Sequence, residues 1–179
     1  GCGGAADGGD ASSAPPTSVS APPASATDAA TSPDLALDAN TVARAPGEVA
    51  VYDEPGAPEP ATVLAPTTEF GSPRALLVVA DQGDWLQVAL PVRPNGTTGW
   101  VRRDGLELRR IDEAIVVDTA ARTLTLFDAG EPVLTTPVAV GTPDNPTPTG
   151  AFFVVDKLDT GDPSGPYGRF AFGLSAHSD

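Results

Sequence analysis

The single histidine of the 179-residue chain, His177, alternates with Ser175 and Asp179. A serine, a histidine and an aspartate are the side chains of a hydrolytic triad, but triads form between separate segments whose side chains converge. On a strand these three side chains would point the same way, about 7 Å apart, which is too far for direct hydrogen bonds. We therefore expect no triad here, and we expect His177 to pack or to lie beside a cleft.

Two aspartates lie in settings similar to the active-site loop of an aspartic protease. They are Asp118 in VVDTA and Asp159 in LDTG. Such enzymes need two carboxylates that share one proton. Asp118 lacks the following glycine, while Asp159 follows only one large apolar residue and precedes a further charge, Asp162. A proteolytic pair is therefore the weaker alternative.

Charge and composition exclude several other classes of function. The formal net charge of −14 disfavours binding to nucleic acid or to anionic lipid. One cysteine and one histidine cannot build a zinc site, and no EF-hand pattern occurs, so we expect no metal and no cofactor. No apolar run is long enough to span a membrane, which takes about 18 residues.

The N-terminal sequence Gly1-Cys2-Gly3-Gly4 resembles the end of a bacterial lipoprotein signal, whose cysteine receives a diacylglycerol. The residues that follow are almost all Ala, Gly, Ser, Thr, Pro and Asp, which bury too little surface to offset ordering entropy. We expect residues 1–46 to be a disordered linker, lipid-anchored through Cys2. That places the protein in the cell envelope, on the outer side of the cytoplasmic membrane or in the periplasm. The alternative is an ordinary surface cysteine in a tail.

Residues 47–110 predict a small barrel of short strands. Apolar runs alternate with turn residues, and Asn95-Gly96 between two extended runs is a strong hairpin signal. Trp85, Trp100 and their neighbours, DWLQV and NGTTGWV, resemble the bacterial SH3-like domain. The resemblance implies that both tryptophans are candidates for stacking on a wall peptide, whereas packing in the core is the simpler expectation for them.

Residues 111–179 also predict strands rather than helices, so the chain is expected to be mainly β. Residues 115–117 form an apolar run, residues 123–127 alternate with period two, and residues 133–140 are expected to be the returning strand. Residues 152–155 are apolar on both faces, which predicts a central strand buried on both sides.

The loop 141–150 is rich in glycine and proline. It lacks Gly-Lys-Ser/Thr, so it is not a phosphate-binding loop. Together with the strands around it, this loop resembles the L,D-transpeptidase catalytic domain of the YkuD family, whose fold resembles a β-sandwich. The residues that carry the resemblance are Leu124, Leu126, Phe127, Gly130, Pro137, Val138, Gly141, Thr147, Pro148, Gly150 and Phe152.

The resemblance implies a peptidoglycan L,D-transpeptidase. In that family a cysteine thiolate attacks a stem peptide, D-alanine leaves, and the amine of a second stem resolves the thioester to form a cross-link. Candidates for the substrate cleft are Thr147, Thr149, Tyr167 and His177, although Tyr167 is also explained as a packed anchor of its loop.

The catalytic signature of the family, His-Gly followed by Ser-His-Gly-Cys, is absent from the sequence. Cys2 lies too far upstream to be the nucleophile, so we expect no catalytic residue in this chain. We expect a C-terminal truncation, with only the N-terminal part of the domain in residues 111–179 and the catalytic Cys and His beyond Asp179. The alternative is a non-catalytic, lipid-anchored protein that binds peptidoglycan.

Overall fold

The computed structural model describes residues 41–178. Twelve strands lie in this part of the chain, and all of their named pairings are antiparallel. Residues 41–178 include no helix that is long and apolar enough to cross a membrane. The prediction of a mainly β fold is confirmed. Cys2 and most of the predicted linker lie outside the described residues.

Seven strands form the first sheet. They are β1 Thr41–Arg44, β2 Val49–Tyr52, β3 Thr62–Leu64, β4 Ala75–Gln82, β5 Trp85–Ala89, β6 Thr98–Arg102 and β7 Glu107–Arg110. Their spatial order is β3-β2-β6-β5-β4-β1-β7. The predicted hairpin at Asn95-Gly96 is confirmed, because β5 pairs with β6 across this loop and Gly96 has a φ of 84°. A positive φ suits glycine, which has no Cβ to clash.

One face of this sheet carries the main core. Period-two alternation turns the same face of neighbouring strands inward, so that Leu86 lies opposite Val101 and Val78 lies opposite Val88. All four side chains are at most 2 % exposed. Removal of this apolar surface from water is the main force that holds the strands together.

Strand β1 begins before the predicted boundary of the folded part. The sequence places residues 41–46 in the linker, whereas Thr41–Arg44 pairs with β4 on one side and with β7 on the other. Ala43 is 1 % exposed and belongs to the core. The sequence predicts a linker here because the residues are small and the strands that bury them, β4 and β7, are distant in sequence.

Three strands form the second sheet, with β9 in the centre. They are β8 Glu113–Asp118, β9 Thr123–Asp128 and β10 Glu131–Pro137. The turn between β9 and β10 contains Ala129 and Gly130, both with positive φ. Strand β10 is irregular between Pro132 and Leu134 and ends at Pro137, three residues short of the predicted end.

Two strands, β11 Val154–Asp159 and β12 Phe170–Leu174, form the third sheet. The prediction of a central strand at residues 152–155 is wrong. Strand β11 starts only at Val154, pairs with β12 alone, and leaves Val154 43 % exposed. The apolar run arises because Phe153 just before the strand is buried among the core residues of the first sheet.

A second contact joins β11 to the first sheet's part of the chain. The Thr68 hydroxyl donates a hydrogen bond of 2.5 Å to the carboxylate of Asp156, which is only 4 % exposed. A buried carboxylate needs hydrogen-bond donors to offset its lost hydration. Together with the insertion of Phe153 into the core, this bond holds the start of β11 in place.

Candidate functional site

The loop 141–149 folds back on itself after β10. The Gly141 amide donates a 2.7 Å hydrogen bond to the Thr147 hydroxyl, and the Asn145 amide donates to the Thr142 carbonyl at 3.1 Å. A Cβ on Gly141 would lie 2.2 Å from the Asn145 carbonyl oxygen, closer than any side chain tolerates. Glycine at this position therefore permits the compact loop, which presents Thr147 and its neighbours on one side.

The segment after β12 forms the opposite wall. Ser175 is buried and pairs with Phe153: its amide donates to the Phe153 carbonyl at 2.9 Å, and its hydroxyl accepts from the Phe153 amide at 3.1 Å. The hydroxyl is thus used as an acceptor within the chain. With Ser175 fixed, the next residues of the segment extend towards the β5–β6 loop of the first sheet.

Asn95 in the β5–β6 loop holds His177 by two backbone hydrogen bonds. The His177 amide donates to Asn95 Oδ1 at 2.8 Å, and Asn95 Nδ2 donates to the His177 carbonyl at 2.8 Å. The Arg93 guanidinium donates to the carbonyl of the next residue, Ser178. One carboxamide therefore satisfies both main-chain polar groups of His177, as a neighbouring strand would.

A cleft of about 400 Å³ lies between these walls. Residues 144–149 line one side, and Asn95, His177 and Ser178 line the other. The Nε2 atom of His177 is buried and has no hydrogen-bond partner. A buried polar atom without a partner is uncommon in folded proteins, because its lost hydration is not replaced. Residues with hydroxyl, carboxamide, carboxylate and imidazole groups therefore line the cleft, and one of them, His177, carries a buried nitrogen without a partner.

Three of the four residues predicted to border a substrate cleft meet in this one. Thr147, Thr149 and His177 all line it. Tyr167 does not. It lies in the loop between β11 and β12 with 77 % of its surface exposed, so it is not a packed loop anchor, and its place at a substrate cleft stays a prediction.

A family comparison bears on the same part of the chain. Residues 112–176 match the YkuD family, the L,D-transpeptidase catalytic domain. The comparisons with curated proteins and with solved structures gave no significant match. The YkuD match covers β8 to β12 and the loop 141–149, and it ends one residue before His177.

The aspartic-protease alternative finds no support within the YkuD segment. Asp118 accepts hydrogen bonds from the amides of Ala120 and Ala121 in the turn after β8. Asp159 accepts from the Gly161 amide, with Arg169 at 3.5 Å. The two carboxylates belong to different sheets, and each one caps its own turn.

Residues 41–178 contain no group of three or more His, Cys, Asp or Glu side chains that would hold a metal ion. Cys2 lies outside the described residues, and the YkuD segment contains no cysteine. Among the described residues, the lining of the cleft therefore offers hydrogen-bonding groups and no thiol nucleophile.

The two tryptophans lie outside the YkuD segment, on the outward face of the first sheet. Both are half-buried and alternate with the buried residues of β5 and β6. The ring of Tyr52 meets that of Trp85 edge to face at 5.1 Å, and the Arg102 guanidinium lies 5.3 Å from the Trp85 ring. The expectation that Trp85 and Trp100 fill the core is wrong, since aliphatic residues and Phe153 fill it.

Asn95 is the site residue that sequence reasoning missed. Its sequence signal is that of a hairpin turn, and the structure confirms the hairpin. Its second role depends on His177, 82 positions later in the chain. No local pattern carries that pairing, so only the folded chain reveals it.

Proposed function

We propose that this chain provides the N-terminal part of a peptidoglycan L,D-transpeptidase. Stem peptides are the substrate, and the cleft beside the loop 144–149 contacts them. The observation that carries the proposal is the YkuD match at residues 112–176, which coincides with the segment that builds one wall of the cleft.

The proposed chemistry needs a cysteine that residues 41–178 do not contain. Its thiolate attacks the carbonyl before the terminal D-alanine of a stem tetrapeptide, and the C–N bond breaks as D-alanine leaves with a proton. The side-chain amine of a second stem then attacks the thioester, which forms the new amide and releases the thiol. In this proposal Thr147, Thr149 and His177 bind and orient the peptide.

The test uses the chain with Cys2→Ser, together with the full reading frame that encodes it. We expect the 179-residue chain to bind a stem tetrapeptide in calorimetry without releasing D-alanine, and to form no carbapenem adduct by mass spectrometry. We expect the full protein to do both through a cysteine. D-alanine release by the Cys2→Ser chain, or a full reading frame without a histidine-partnered cysteine, contradicts the proposal.

A second candidate function is supported by the outward aromatic residues of the first sheet. Under this alternative the protein binds peptidoglycan without catalysis, and an SH3-like first domain stacks wall peptides on Trp85 and Trp100. Trp85→Ala and Trp100→Ala would then reduce retention on isolated sacculi, while Phe70→Ala, which removes an aromatic ring that is 61 % exposed, would not. Unchanged retention in both tryptophan variants removes this candidate.

Envelope localisation through a lipid on Cys2 completes the proposal. We expect radiolabelled fatty acid to be incorporated into the protein when it is expressed with its native leader, and the protein to fractionate with membranes. Cys2→Ser is the matched control, because Cys2 is the only cysteine of the chain. Label that persists in Cys2→Ser argues against this anchor.

A further inference from the structure

The cleft depends on the first sheet, because one of its walls includes a side chain from the β5–β6 loop. Asn95 itself lies outside the YkuD match. Its carboxamide makes two hydrogen bonds of 2.8 Å with the main chain of His177 and also lines the cleft. A paired acceptor and donor fix both the position and the direction of the His177 backbone.

Among the described residues, side-chain hydrogen bonds to the main chain of residues 177–178 come from the β5–β6 loop. The strand β12 ends at Leu174, and its last anchor is the buried Ser175. Beyond that point the chain is held by Asn95 and by the bond from Arg93 to the Ser178 carbonyl. Both of these side chains belong to the β5–β6 loop, so the position of the His177 backbone, from which the imidazole extends, depends on that loop.

The imidazole of His177 carries a ring nitrogen that has no hydrogen-bond partner. This Nε2 atom is buried, and His177 lines the same cleft as Thr147 and Thr149. Because Nε2 has almost no accessible surface in the ligand-free chain, a ligand reaches it only when the imidazole rotates towards the cleft, and the hydrogen bond then restores the interaction that burial removed. A peptide backbone suits such a site, because its amide groups supply donors and acceptors to hydroxyls, carboxamides and an imidazole alike.

We propose that Asn95 is a positioning residue that holds His177 in the cleft, so that the unpaired Nε2 hydrogen-bonds a peptide ligand. The identity of the peptide as a wall stem rests on the proposed function. The inference gives the first sheet a part in the substrate site itself, separate from any binding by its aromatic face.

The single histidine of the chain makes the test direct. Imidazole signals in proton–carbon NMR spectra report on His177 alone. We expect Asn95→Ala to move these signals in the ligand-free chain and to weaken binding of a stem tetrapeptide about tenfold, the cost of one to two hydrogen bonds. Asn95→Asp keeps the acceptor but loses the donor, so its effect falls between those of Asn95→Ala and the unchanged chain.

Gln87→Ala is the matched control. It removes a carboxamide from the same hairpin, where Gln87 bonds to the Thr98 hydroxyl at 3.1 Å, and it lies outside the cleft. We expect unchanged imidazole signals and unchanged peptide affinity in this variant. Circular dichroism melts verify that all variants remain folded.

His177→Ala tests the binding role of the side chain itself. We expect it to weaken tetrapeptide binding while leaving the fold intact, since the Asn95 bonds are made to the backbone. Unchanged affinity in His177→Ala, or unchanged imidazole signals in Asn95→Ala, overturns the inference. If the unchanged chain binds no tetrapeptide, the proposed function and the ligand role of Nε2 both fail, while the ligand-free spectra still decide whether Asn95 positions His177.

Discussion

Apolar residues alternate along the strands of the first sheet and along the strands that follow it, but the two groups of residues are buried to different extents. In β5 the alternating residues Leu86 and Val88 are completely buried. In β8 and β12 the corresponding residues, such as Ile115 and Phe172, are 50 % and 55 % exposed. Alternation assigns a residue to a face of its sheet, but it does not decide whether that face is covered.

The number of strands explains much of the difference. The seven-stranded sheet supplies most of the buried apolar residues, whereas the three-stranded sheet buries Phe127 and the two-stranded sheet leaves Phe170, Phe172 and Leu174 more than half exposed. The second part of the described chain reaches the main core chiefly through Phe153, at 8 % exposure. From this comparison we infer that the first sheet contributes most of the free energy of unfolding, and the following substitutions test this inference.

The largest effect is expected from Leu86→Ala in the first sheet. The side chain is 0 % exposed, so its truncation leaves a cavity and lowers the free energy of unfolding by about 2–5 kcal/mol. Ile115→Ala on β8 is the matched control, with a loss below about 1 kcal/mol because the side chain is already half in water. Urea denaturation measures the free energy of unfolding of both variants, and equal losses would contradict the view that the first sheet is the more stable part.

A smaller loss is expected from Gly99→Ala on β6. A Cβ at this position would lie 2.4 Å from Val51 Cγ1 and 3.2 Å from Leu90 Cδ1. Over-packing of this kind lowers the free energy of unfolding by about 1–3 kcal/mol. Gly47→Ala, where a Cβ meets nothing within 4 Å, serves as the control. A Gly99→Ala variant as stable as the unchanged chain would show that the core of the first sheet has room for a methyl group beside Val51 and Leu90.

Thr68→Ala tests the link between the two parts. Loss of its hydroxyl leaves the buried Asp156 carboxylate without this donor, at a cost of about 1–2 kcal/mol in the free energy of unfolding. Thr67→Ala removes the neighbouring, exposed hydroxyl and is expected to change stability little. Thermal melts of the two variants compare them, and identical melting temperatures would argue that Asp156 does not depend on Thr68.

The smallest effect is expected at the exposed pair Asp81–Arg103, whose atoms lie 2.6 Å apart. The hydrogen bond from Arg103, and then that from the Gly83 amide, lower the pKa of Asp81 below its usual 3.8. Because the folded pKa is the lower one, the pair stabilises the fold above pH 3.8 and loses this effect as the pH falls through the folded value.

Arg103→Ala is expected to move the pKa of Asp81 back towards 3.8, as followed by an NMR titration of its carboxyl carbon. Arg109→Ala on β7 is the control and should leave that titration unchanged. An Asp81 pKa that stays low in Arg103→Ala would assign the shift to the Gly83 amide instead.

Local patterns predicted the strands well where burial follows from neighbours in sequence. The Asn95-Gly96 hairpin and strand β9 at Thr123–Asp128 are cases in which turn chemistry and alternation agree. The predictions failed where distant contacts decide burial. The sequence predicts a linker where strand β1 forms, and a central strand at residues 152–155 where β11 has only one neighbour. It also predicts that the tryptophans fill the core, whereas aliphatic side chains and Phe153 fill it.

The sequence by itself determined the mainly β fold and the hairpins, because turn residues and period-two alternation act between near neighbours, and its motifs marked the YkuD-like segment by resemblance. It also singled out Thr147, Thr149 and His177. Only the tertiary structure decided that they share a cleft and that Asn95 holds its wall, since that contact joins residues 82 positions apart. Such a contact depends on how the two parts pack, and no local propensity encodes it.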